Sequence, residues 1–147
     1  MSMSLREWVQ YGWLSEHKSS REEIENLLGL VDRDLRACQA EGLGADWRFA
    51  IAYNAALQAA TAALAAAGYR APRDAHHYRV FQSLEHTIKA DPKLIHRLDA
   101  FRKKRNISSY EMGGMVSDKE AEEMAVLAAE LRAEVERWIR TEHKDLL

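Results

Sequence analysis

Residues 45–67 constrain this chain more than any other stretch. They form a 23-residue run rich in alanine, without proline or internal glycine, closed by Gly68. Alanine is the best helix former, and a glycine just past the last helical residue is a stop signal. The run predicts a helix starting at Gly44 or Asp46 and ending near Ala67, about 33 Å long at 1.5 Å per residue. Its small side chains let neighbouring helices approach closely, so a bundle must assemble around it.

The rest of the chain follows the same period. It holds two prolines and seven glycines in 147 residues, and has almost no alternating β-branched pattern, so it reads as all helix. Residues 4–15 form a short amphipathic segment with Leu5, Trp8, Val9 and Trp13, an arm ahead of the bundle proper at 16–147. Ser20 and Glu23 make a capping box, opening a helix striped by Ile24, Leu27, Leu28, Val31, Leu35 and Cys38. Asp74 caps a shorter helix that begins at His76-His77 and carries Tyr78, Phe81, Leu84 and Ile88. Asp91-Pro92 starts the next one. A loop with Gly113-Gly114 leads to a second capping box, Ser117 and Glu120. The last helix then presents Met124, Leu127, Leu131, Val135, Trp138 and Ile139. The expected fold class is all-α: an up-and-down bundle of four long helices plus one shorter helix.

Composition narrows the function. The net charge is −2, so a polyanion site must be a local patch. One cysteine, Cys38, leaves no internal disulfide framework and fits a reducing cytoplasm. The best membrane candidate, 55–67, is broken by Gln58 and Thr61. Arg6, Glu7, Gln10 and Glu16 interrupt any signal-peptide core, so a cytoplasmic protein without a membrane partner is expected. His17, His86 and His96 lack spaced ligand partners, and no phosphate-loop or nucleophile-elbow pattern occurs. Neither a metal nor a cofactor is expected.

One helix breaks its own pattern. Leu94, Leu98 and Phe101 mark one face at steps of four and three, and the next member, four residues on, is Arg105. A guanidinium continuing an apolar stripe needs an anion or rich hydrogen bonding to meet it. A carboxylate of Glu120 or Glu123 could serve structurally, and a phosphate could serve functionally. Arg102, Lys103, Lys104 and Arg105 form a basic run, but consecutive residues wrap round a helix, so at most two share a face.

Three pieces together resemble a HEPN domain (higher eukaryotes and prokaryotes nucleotide-binding). They are Tyr53-Asn54-Ala55-Ala56 on a long helix closing in Gly68-Tyr69-Arg70-Ala71-Pro72, a following helix opening at His76-His77, and Arg105-Asn106 near a helix end ahead of a glycine-bearing loop. The resemblance covers about residues 20–140. It implies a homodimer whose two motifs face each other across a cleft. The family motif is arginine, a polar residue, then histidine four to six residues after the arginine. Members that carry it are often metal-independent endoribonuclease toxins encoded beside a nucleotidyltransferase antitoxin. Arg105 and Asn106 match; Tyr110 stands where the histidine would be.

The resemblance thus names Arg105, Asn106 and Tyr110 as catalytic candidates, with Arg102, Lys103, Lys104 and Arg105 on phosphate. Tyrosine is a poor general base: bringing its pKa near 7 takes about three units, roughly 4 kcal/mol. Five residues along an unbroken helix is also a rotation of about 140°. Arg105 and Tyr110 converge only if the helix ends near Ser108-Ser109. His76 or His77 could supply the missing base from the other helix. Trp8, Trp13, Trp47 and Trp138 are core or dimer-interface anchors. The expected function is a HEPN-like homodimer that binds RNA, a nucleotide or a partner protein through a degenerate ribonuclease motif, as a toxin–antitoxin component. The alternatives are an active metal-independent endoribonuclease toxin and a structural helical adaptor.

Overall fold

The computed structural model describes residues 3–72, 76–110 and 116–147, with backbone only for 107–110. Its elements, in order, are α1 (Leu5–Gln10), β1 (Ser15–Glu16), α2 (Arg21–Ala37), α3 (Ala45–Ala66), β2 (Tyr69–Arg70), α4 (His76–Ser83), α5 (Pro92–Tyr110) and α6 (Asp118–Glu142), followed by a 3-10 turn at Lys144–Leu146. The all-α expectation holds. The expected caps of α4 at Asp74 and the Gly113-Gly114 loop lie outside the described residues.

Helix α3 is the core of the molecule. It packs most extensively against α6 and α2, and also meets α4 and α5. Nine of its alanines, among them Ala52, Ala56, Ala59 and Ala63, are buried, so it is covered nearly all round. By length and hydropathy alone α3 is long and apolar enough to cross a bilayer, contrary to expectation, but 72% of its most apolar window is buried inside the protein. Phe49 and Tyr53, one turn apart, carry the packing outward. Phe49 meets Phe101 of α5 edge-on at 5.6 Å and Tyr53 meets Phe81 of α4 edge-on at 5.7 Å.

The α2–α3 seam contains a buried charge. Asp34, 6% exposed, follows the apolar stripe of α2. Its carboxylate accepts from Asn54 Nδ2 at 2.8 Å, Gln58 Nε2 at 3.3 Å and Arg33 Nη2 at 3.0 Å. Asn54 and Gln58 are four apart on α3, so one acid fixes the register of two helices. Across the seam with α6, Arg132 donates to both carboxylate oxygens of Asp32, at 2.8 and 3.1 Å.

Three expectations change. Ser15–Glu16 pairs antiparallel with Tyr69–Arg70, a bridge too short to leave a period-2 signal; Gly68, at φ +99°, redirects the chain into it. The box at Ser20 is half formed, because Glu23 binds His17 Nε2 at 2.7 Å instead of reaching back to the Ser20 amide. The box that closes at the N-terminus is Ser4–Glu7, which starts α1. Ser117–Glu120 is reciprocal as expected, and Asp91 accepts from the Lys93 amide at 2.8 Å at the start of α5. Behind α1, Trp8 and Leu14 are buried in the same core as the bundle.

Asp34→Ala leaves the half-buried Asn54 and Gln58 amides without their shared acceptor. We predict a loss of about 2–3 kcal/mol, read as a lower denaturation midpoint in urea with unchanged slope; an unshifted midpoint would remove Asp34 from the account of the seam.

Candidate functional site

The face formed by α3, α4 and α5 brings together residues far apart in sequence. Tyr53 is 1% exposed, and a buried phenol must find a partner for its hydroxyl. It finds His77 Nδ1 at 2.9 Å. The Arg105 guanidinium lies over the Tyr53 ring, 5.3 Å from its centroid. Leu98 is buried, while Leu94, Phe101 and Arg105 are partly buried, so Arg105 does continue the inward stripe of α5. Next to it, Arg102 donates to Asp99 at 2.8 Å and lies 5.4 Å from the Tyr78 ring.

The protonation states follow from these contacts. Burial pushes the Tyr53 phenol well above its usual value; Arg105 and Arg102 pull the other way without offsetting it. The hydroxyl therefore keeps its proton, and the neutral tautomer that satisfies this buried donor accepts from it at Nδ1. Burial is also the main cause at His77, aided by His76, Arg105 and Arg102, and together they lower its pKa from 6.5 to about 4. The ring is neutral at pH 7, with its proton on Nε2. Burial lowers His76 as well. Burial opposes the charge on Asp99, but Arg102 and Lys103 outweigh it and hold its carboxyl below the usual range.

The basic run divides as helical geometry requires. Lys103 reaches back to Asp99 at 3.5 Å, and Lys104 crosses to Glu120 of α6 at 3.3 Å. Glu120, one expected partner for Arg105, thus meets Lys104. Arg102 and Arg105, three apart, are the two that share the face with Tyr53 and His77. Asn106 is exposed. The helix does not fray at Ser108-Ser109: α5 continues to Tyr110, which sets the Tyr110 Cα about 140° round the axis from that of Arg105. The Tyr110 side chain lies outside the described residues.

What the site can do is limited by its nitrogens. Nδ1 of His77 is engaged by Tyr53 and Nε2 bears the proton, so neither offers a lone pair to a 2′-hydroxyl. With a pKa near 4, roughly 0.1% of the ring is imidazolium at pH 7, too little for an efficient general acid. The site offers a guanidinium charge and an N–H donor: the equipment for holding an oxyanion. Tyr53 was legible only as part of a family pattern. Nothing in the sequence paired it with His77, 24 residues on. Among the described residues no three His, Cys, Asp or Glu side chains converge as a metal site would need.

His77 binds its proton less tightly in the folded chain than in the unfolded one, so stability is lost as pH falls from about 6.5 to about 4. At this half-buried position the loss is about 1–2 kcal/mol after solvent screening. An NMR titration should place the His77 midpoint near 4 and find it higher, yet still below 6.5, in Arg105→Gln; an unperturbed midpoint in the wild type would contradict the burial.

No protein-family model, curated protein or solved structure matches this chain.

Proposed function

We propose that the chain is a HEPN-like binding module. In this reading Arg105, with the neutral His77 Nε2–H beside it, receives a phosphate of RNA or of a nucleotide. The observation that carries the proposal is the Arg105 guanidinium set over a buried tyrosine whose hydroxyl fixes the adjacent imidazole. Guanidinium meets phosphate in bidentate fashion, and a ring locked by its other nitrogen presents its N–H in a fixed direction. The occupied and protonated nitrogens of His77 support binding over cleavage.

The ribonuclease reading stands second: His77 of α4 and Arg105 of α5 both meet Tyr53, which supports His77 as the candidate for the absent motif histidine. In that reading the chain is a toxin and a nucleotidyltransferase its antitoxin. A labelled RNA pool incubated in EDTA separates the two. The binding reading predicts no cutting, with salt-sensitive binding that weakens about 10-fold or more in Arg105→Ala. Metal-independent cutting that disappears in His77→Ala would favour the nuclease. Absence of RNA and nucleotide binding at low salt would leave a structural adaptor.

We also propose a two-fold homodimer, in which paired clefts would double the local positive charge. Trp47, 65% exposed at the start of α3, supports a contact surface. Of the other tryptophans, Trp8 is buried and Trp13 and Trp138 are partly covered. Light scattering at micromolar concentration should give twice the chain mass; a monomer would contradict the dimer.

A further inference from the structure

Arg105 and Arg102 stand at one end of a longer strip. Arg102 faces the Tyr78 ring at 5.4 Å. From its other neighbour, Arg79, the same ring is 5.6 Å away. Arg79 also lies directly over Trp13, 3.9 Å from its centroid. Tyr11 then stacks on Trp13 at 5.2 Å with 25° between the planes. Cations and rings thus alternate from α5 through α4 to the turn after α1. Gln82 ties the middle together: it donates to the Tyr78 hydroxyl at 2.8 Å and accepts from Arg79 at 3.2 Å.

Part of this strip fastens α1 to the bundle, as Arg79 also lies 5.8 Å from buried Trp8. Fastening does not account for its outer members. Among the described residues four large hydrophobic side chains are exposed, and two of them, Tyr11 at 64% and Tyr78 at 37%, are on this strip. No described carboxylate pairs with Arg79, whereas Asp99 partly answers Arg102. Beside Tyr78, between α4 and α5, is a cleft of about 210 Å³. Tyr78, Phe81 and Ile95 give it apolar walls, and Gln82, His96 and Asp99 give it polar atoms at the edge. An apolar cleft with two aromatic rings in its walls and polar atoms at its edge suits a planar heterocycle.

We propose that this strip is a track for single-stranded nucleic acid. One base occupies the α4–α5 cleft against Tyr78, further bases stack on the Trp13–Tyr11 side, and the phosphates pass Arg79, Arg102 and Arg105. The proposal rests on the binding reading above and specifies its ligand. Alternating guanidinium groups and exposed rings match a strand whose charges and π faces alternate in the same way. A duplex hides its π faces and loses that half of the recognition.

The test uses fluorescence anisotropy with the full chain. The probes are a roughly 12-nucleotide oligouridylate, a blunt duplex of the same length and a uridine dinucleotide. Tyr11→Ala and Arg79→Gln are the informative variants: Tyr11 is exposed and Gln keeps the Arg79 stem, so both should fold. Each should weaken the single strand about 5-fold or more, consistent with the loss of one stacking or phosphate contact, while leaving dinucleotide binding within about 2-fold. The duplex should bind more weakly than the single strand. Arg105→Ala should weaken the oligomer and the dinucleotide alike. Unchanged oligomer binding in both strip variants, with dinucleotide binding still lost in Arg105→Ala, overturns the track and leaves the Arg105 reading standing. Equal binding of duplex and single strand also overturns it. So does an oligoglutamate peptide that competes as well as the RNA, which would assign the strip to an acidic protein. A wild-type chain that binds none of the nucleic acids overturns the track and the Arg105 reading together.

Discussion

The hydrogen bond from Tyr53 to His77 is the contact on which the rest depends. A phenol placed in an alanine-lined core cannot leave its hydroxyl unsatisfied, since an orphaned buried donor costs on the order of 1–3 kcal/mol. The acceptor comes from α4 and the cation over the ring comes from α5, so three helices are tied at one side chain. The alanines of α3 make this possible. They let its neighbours pack close enough for Tyr53 to reach the rim of the core while its ring stays buried. The geometry of the charged face is therefore set by the packing of the bundle.

That hydrogen bond also determines the chemistry. It engages Nδ1 of His77, whose neutrality comes from burial and the neighbouring cations, and leaves the remaining proton directed away from Tyr53, on the face that also holds the Arg105 guanidinium. A chain with net charge −2 acquires a local positive site because Arg102 and Arg105 share the inner side of α5, where Asp99 is divided between Arg102 and Lys103, while Lys104 turns away to Glu120. Local convergence outweighs the overall balance at distances shorter than a Debye length. Such a face is equipped to hold an anion and poorly equipped to move protons.

What was legible in the sequence was local. The four long helices and the shorter one come from hydrophobic periodicity within each segment, and the reciprocal box at Ser117–Glu120, the Asp91-Pro92 start of α5 and the Gly68 stop of α3 come from signals within about one turn of the chain. Arg105 as a misfit in an apolar stripe was legible for the same reason. Long-range pairings were not: the Tyr53–His77 bond, the Asp34 seam and the bridge between Ser15–Glu16 and Tyr69–Arg70 join residues whose spacing carries no periodic mark. The half-formed box at Ser20 shows local logic overruled, because His17 offered Glu23 a better partner than a backbone amide. The two serines near the end of α5 did not stop the helix, which runs on to Tyr110.

The most direct measurement is the titration of the His77 imidazole with ligand bound. An anion seated against Arg105 favours the imidazolium form and removes part of the repulsion that the arginines impose. Saturation with the uridine oligomer should move the His77 midpoint upward from about 4, and the movement should be lost in Arg105→Ala. A midpoint that stays put while the oligomer is demonstrably bound would place the anion elsewhere and contradict the account.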